Sequence, residues 1–109
     1  MLTRNIYQLP TRPSSEKEGG ASVPYARALG PDDFDSRLTW VDYCIVTPGA
    51  TIGVHQHVGD EEIYLILEGE GLMIMNGEER RVAPGDATLL KSGGTHGLRN
   101  LSNAAALKV

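Results

Sequence analysis

Short apolar runs, each cut off by a turn rich in glycine or proline, fill most of this chain and leave little room for anything but β-structure. The longest runs, such as residues 63–67, last about five residues. Nowhere do apolar positions hold a helical period for three turns. The interruptions are Pro48-Gly49, Glu68-Gly69-Glu70-Gly71, Asn76-Gly77, Pro84-Gly85-Asp86 and Gly93-Gly94. Asn-Gly between two such runs is the strongest hairpin signal of the set, because both residues tolerate the positive φ of a two-residue turn. The pattern predicts strands over residues 25–29, 38–47, 51–57, 63–67, 72–75, 80–82, 87–90, 95–98 and 105–109, with a turn or one helical turn over 30–36. Turn signals every eight to twelve residues, roughly, mean an all-β sandwich or barrel.

At 109 residues and 40% hydrophobic content, the chain suits one domain with a small core. Acidic residues outnumber basic ones 14 to 10, which argues against nucleic acid as a partner, since phosphate binding needs a basic face. No apolar stretch is long enough to span a bilayer as a helix. No basic segment followed by an apolar one opens the sequence, so no secretory signal is expected. One cysteine, Cys44, rules out an intramolecular disulfide and a cysteine zinc cluster, and the expected compartment is the reducing cytoplasm. Residues 1–24 read as a partly flexible N-terminal arm whose polar, turn-rich middle cannot pack on its own. Within it, Ile6, Tyr7 and Leu9 offer an anchor for a short strand. Residues 25–109 make up the barrel.

The chain has three histidines, His55, His57 and His96. His55 and His57 stand two apart, so on a strand both leave the same face. Glu62 opens the next apolar run, and His96 comes after the Gly93-Gly94 turn. Three imidazoles and a carboxylate suit one divalent transition metal, Mn, Fe, Co, Ni or Zn. By itself each histidine is as readily a packed or surface residue, and two histidines two apart are only suggestive.

The glycines around them add a pattern. Gly49, five residues, His55, Gln56, His57, four residues, Glu62, six residues and Gly69 resemble the first cupin motif at every named position. Gly85, five residues, Lys91, Ser92, Gly93, two residues, His96, three residues and Asn100 resemble the second, except at Lys91, where cupins usually carry proline. The chain thus resembles a small single-domain cupin of the conserved-barrel type, over about half its length. The resemblance implies a jelly-roll barrel of six to eight strands, with a metal ion held inside one end by His55, His57, Glu62 and His96. Four protein ligands would leave coordination positions open, as a catalytic site needs. The gap after His57 is one residue longer than in many cupins. Spacing to Gly69 favours Glu62 as ligand, with Glu61 as the fallback.

Strand parity extends the reading. Glu62 facing inward carries Tyr64 and Ile66 with it, and His96 carries Leu98 and Asn100. A two-residue turn at Gly69-Glu70 would set Leu67 against Leu72, and Ile66 and Tyr64 against Met73 and Met75. Tyr64 is then the polar side chain nearest the metal and the candidate catalytic residue, with plain core packing as its competing role. Trp40 and Tyr43 are expected at the barrel mouth or an interface. Arg27 and Arg99 are the arginines expected nearest an acidic substrate, although parity puts Arg99 on the face opposite His96. Cys44 is expected to be buried and inert, and Lys91 and Arg80-Arg81 to be solvated.

A metal-dependent cupin acting on a small organic molecule that bears a carboxylate or carbonyl is the implied function. Cupins with this ligand set include oxalate decarboxylases, quercetin-type and acireductone dioxygenases and some isomerases, and the fold does not choose among them. The alternatives are a non-catalytic small-molecule-binding or sensory barrel, and a storage barrel. Exposed sheet edges call for cover, so a homodimer is expected, with Ile6, Tyr7, Trp40 and Tyr43 as interface candidates.

Overall fold

A computed structural model describes residues 1–15 and 20–109. Its strands are β1 (Arg12–Pro13), β2 (Pro24–Leu29), β3 (Val41–Val46), β4 (Thr51–Gln56), β5 (Glu62–Leu65), β6 (Gly71–Met75), β7 (Glu78–Val82), β8 (Ala87–Leu90), β9 (Thr95–Asn100) and β10 (Leu107–Lys108). A single 3-10 turn, Pro31–Asp33, joins β2 to β3. The fold is all-β, as the turn spacing predicts. Two strands, β1 and β10, are only two residues long, which brings the count above the six to eight expected.

The strands form two four-stranded sheets, ordered β1-β2-β3-β10 and β4-β9-β6-β7, and a two-stranded sheet of β5 and β8. The core lies where the inner faces meet. Val23, Val46 and Leu107 come from the side of the first sheet, Met73, Val82 and Leu98 from the second, and Ile66 sits between them. All seven are buried. The strand β7 forms an outer edge, and its Glu78, Glu79, Arg80 and Arg81 are all exposed, a row of charge that discourages edge-to-edge pairing.

At Asn76-Gly77 the expected hairpin is present: Met75 pairs with Glu78, and the two turn residues have φ of 50° and 80°. The Gly69-Glu70 hairpin does not form. β5 pairs with β8, setting Tyr64 against Thr88, while Leu72, Met73 and Met75 pair with Arg81, Arg80 and Glu78 on β7 and with Arg99, Leu98 and His96 on β9. The chain leaves β5 by hydrogen bonds to other partners, with the Ile66 amide donating to Asp86 and the Leu67 amide to Lys108. Gly69, at φ 82°, then passes so close to Ala106 that a Cβ would lie 2.6 Å from its carbonyl oxygen. Residues 66–70 therefore cross from one sheet to the other rather than doubling back.

Other boundaries shift too. Residues 38–40 are exposed and lie outside β3. No strand forms at Ile6, Tyr7 or Leu9; the N-terminal strand is Arg12–Pro13, paired with β2. The arm makes side-chain contacts instead. Tyr7 sits edge-on to Tyr43 at 5.6 Å between ring centroids, and Arg4 donates to the Asp33 carboxylate at 2.7 Å and to the Ala28 carbonyl at 2.8 Å. Asn100 ties the far end of β9 to three segments. Its buried amide donates to the Val46, Thr47 and Ala105 carbonyls, and its oxygen accepts from the Ser102 amide.

Candidate metal centre

Two histidines of the site depend on an irregularity in β4. Ile52 pairs with Leu98 and His55 with His96, so Gly53 and Val54 together stand opposite the single residue Gly97. Such a bulge shifts side-chain parity by one position and re-aims the side chains beyond it. Ile52 packs against the core, and His55 and His57 still line the cavity, which a regular strand would not allow for both 52 and 55. A Cβ on Gly97 would meet the Ile52 carbonyl oxygen at 2.8 Å and the Val54 nitrogen at 3.0 Å, so the bulge closes only over a glycine.

The four side chains His55, His57, Glu62 and His96 converge. One ligand atom from each lies within 4.8 Å of all the others. His96, buried in β9, is the cross-strand partner of His55. Glu62, at the start of β5, brings its Oε2 to 2.9 Å from His57 Nε2 and 2.8 Å from His96 Nε2. Despite these distances, none of the three atoms makes an aligned hydrogen bond, and all are buried. Two imidazole nitrogens and a carboxylate oxygen thus point at one another without sharing protons, an arrangement that is costly unless a cation sits among the lone pairs. The donor set fits a divalent transition metal.

The outer ring nitrogens are held from behind. The Nδ1–H of His55 donates to the Gly53 carbonyl at 2.8 Å, and that of His57 to the Asp60 carboxylate at 3.0 Å. Each bond places the proton on Nδ1 and leaves Nε2 free to coordinate. Sequence reasoning missed Asp60; its signal was a carboxylate three residues after a candidate ligand, in the loop between two ligand strands. Burial, together with the neighbouring His96 and His57, pushes the His55 pKa below the usual histidine value, and the Gly53 contact opposes the shift. The imidazole is thereby kept neutral, as a ligand must be.

His55, His57 and Glu62 line one side of a cavity of about 600 Å³, and His96 is buried beside them. Tyr64 lies in its wall with its ring 4.6 Å from that of His96. Burial, and after it the charge of Glu62, drives the Tyr64 hydroxyl far above its ordinary pKa, so it remains a neutral donor. Cys44 also lines the cavity and is half-buried rather than fully buried; desolvation pushes its thiol up to about 12. Arg27 reaches the cavity from β2, and Trp40 flanks it. Tyr43 does not reach the mouth: it points to the other side of β3, where it is buried beneath Tyr7. Arg99, Glu61 and Lys91 are exposed, and none of them belongs to the converging group.

A family model described as "Cupin domain" matches residues 42–109. A Thermotoga maritima protein named "Oxalate-binding protein" is 31% identical over 103 residues, covering 94% of this chain and 85% of its own. Among solved structures, a predicted oxalate decarboxylase from Thermotoga maritima superposes with a TM-score of 0.87 at 28% identity, over 95% of this chain and 90% of that one. A polyketide cyclase from Streptomyces resistomycificus shares the fold at a TM-score of 0.79 and 22% identity, over 99% of this chain and 75% of that one. Both motifs, the convergence of their ligand residues and the match over residues 42–109 lead to one conclusion: the chain belongs to the cupin-domain family.

Proposed function

We propose that this cupin captures a small carboxylate- or carbonyl-bearing molecule at a divalent transition metal held by His55, His57, Glu62 and His96. The observation that carries the proposal is the approach of four ligand atoms to within 4.8 Å of one another, with three of their residues, His55, His57 and Glu62, lining an open cavity. Mn, Fe, Co, Ni and Zn all suit this donor set, and cellular supply selects among them. When bound, such an ion polarises a carboxylate or carbonyl oxygen and lowers the pKa of coordinated water. The side chains around the ligand set favour holding a molecule over moving its protons. Tyr64 and Cys44 stay protonated, and Asp42 is engaged by Arg27. The similarity to a protein named for oxalate binding supports the same ligand chemistry.

Turnover is the second reading, as dioxygenase, decarboxylase or isomerase chemistry. It is favoured by Tyr64, a cavity-lining residue whose ring packs on that of His96 and whose hydroxyl stays a neutral donor. We also propose a homodimer. The test of function is calorimetry with oxalate on protein purified without chelator, joined to elemental analysis. Expected are about one transition metal per chain and oxalate binding that vanishes on chelation and in His57→Ala. Equal oxalate affinity with and without metal would overturn the proposal. Oxalate consumption by the loaded protein, absent in Tyr64→Phe, would establish turnover.

A further inference from the structure

We propose that the preferred ligand is a monocarboxylate with a flat apolar body, its head at the metal centre and its body against Trp40 at the cavity mouth. This presupposes the metal-dependent capture proposed above and adds the class of molecule captured.

Three observations carry it. First comes size. A cavity of about 600 Å³ falls in the range of about 300–1,000 Å³ that buries drug-sized ligands, and a two-carbon diacid would leave most of it to water. The second is charge. Among the described residues lining the cavity, Arg27 is the one arginine or lysine, against Asp42, Asp60 and Glu62. The charge of Arg27 is already paired. Its Nε and Nη2 each donate at 2.8 Å to a separate oxygen of Asp42, its cross-strand partner. A second carboxylate reaching away from the metal would therefore meet a wall with more acid than base.

The third is the mouth itself. The two-pronged ion pair locks the Arg27 guanidinium as a flat plate, 5.1 Å from the Trp40 ring centroid and 5.9 Å from that of Tyr25. The plate steadies an indole that is 42% exposed at the lip of the cavity. Tryptophan is among the more buried residue types, and an immobilised, half-open indole beside a ligand cavity offers a stacking surface. Between mouth and metal the wall includes Val23, Ile52 and Tyr64, apolar surface that suits a hydrocarbon body.

The test is calorimetry on the full chain loaded with Zn²⁺, comparing 3-phenylpropanoate, propanoate and oxalate. The phenyl group is expected to tighten binding about threefold to tenfold over propanoate, the usual worth of an aromatic contact. That ratio should fall towards one in Trp40→Ala and be partly kept in Trp40→Phe. Trp40 is the only tryptophan of the chain, so its emission should shift with 3-phenylpropanoate and far less with propanoate. A ratio near one in the unaltered protein, or a ratio that survives Trp40→Ala, would overturn the flat-body assignment while Zn²⁺-dependent binding of propanoate or oxalate left the capture proposal standing. Absence of binding by all three to the Zn²⁺-loaded chain would defeat both.

Discussion

Asp60 coordinates nothing in the converging group, yet it governs how His57 can. Its carboxylate, 3.0 Å from His57 Nδ1, holds the ring with Nε2 turned toward Glu62. Partners of this kind set ligand orientation and basicity, and their loss lowers metal affinity by about tenfold to a hundredfold. Asp60→Ala should show a fall of that order in competition with a chromophoric chelator, with an unchanged thermal midpoint for the metal-free protein. His55 gives a pH dependence. Its folded pKa lies below that of the unfolded chain, so as pH falls below about 6.5 the unfolded state takes up the proton first. The contribution of His55 to stability is thus fully present above that pH and is lost as pH drops toward the folded pKa. Chelator-treated protein should show a urea midpoint that declines between pH 7 and pH 5, and the decline should be at least as steep in metal-loaded protein, where the ion keeps the native ring deprotonated while the unfolded chain still takes up the proton. At this scale the sequence was most legible. The four candidate donors were reached through the resemblance to the two cupin motifs, and the fold brings them together. Asp60 was not, because a carboxylate in a loop has many possible partners until the fold supplies one.

The bulge in β4 is the element on which the site turns. Without Gly53 and Val54 doubled against Gly97, the parity that puts Ile52 into the core would turn His55 outward. Of the three atoms a Cβ at position 97 would strike, two are backbone atoms, the Ile52 oxygen and the Val54 nitrogen, which cannot swing aside; the third is the Val54 Cγ2. Gly97→Ala should therefore cost about 1–3 kcal/mol of stability and weaken metal binding as well, measured by denaturant titration and by elemental analysis. Gly30→Ala, where the Cβ would meet only the Arg27 Cδ at 3.7 Å, should change stability by no more than about 0.5 kcal/mol. Sequence reading placed a strand here but not its irregularity. The pairing of β5 with β6 that a two-residue turn at Gly69-Glu70 would give is also absent, since β5 pairs with β8. Both differences have one cause: alternating apolar residues define a strand and its faces, while pairing is decided by contacts far apart in the chain.

Across the whole molecule, the outer face of the β5–β8 sheet stands out. Ile63 and Leu89 are direct cross-strand partners, 67% and 46% exposed, and Leu65 beside them is 50% exposed. For the proposed homodimer this face is a further contact surface beside Tyr7 and Trp40, which are exposed, whereas Tyr43 is buried. Light scattering at micromolar concentration should give about twice the 11.8 kDa chain mass, falling to the single-chain value in Leu65→Glu while metal content stays unchanged. A monomeric unaltered protein would contradict the dimer. Among the described residues, no helix is long and apolar enough to cross a membrane.

The sequence by itself determined the class of fold and the Asn76-Gly77 hairpin, and its resemblance to the cupin motifs singled out the four side chains that converge. The strands and the hairpin are local properties, fixed by backbone preference, and the motif positions are local spacings along the chain. Only the tertiary structure decided that β5 joins β8, that Gly97 admits a bulge, that Asp60 backs His57, and that Arg27 is spent on Asp42 and braces Trp40 at the mouth. Those outcomes depend on which distant segments share a surface, a choice made by burial and hydrogen bonding across the whole chain rather than by any stretch of it.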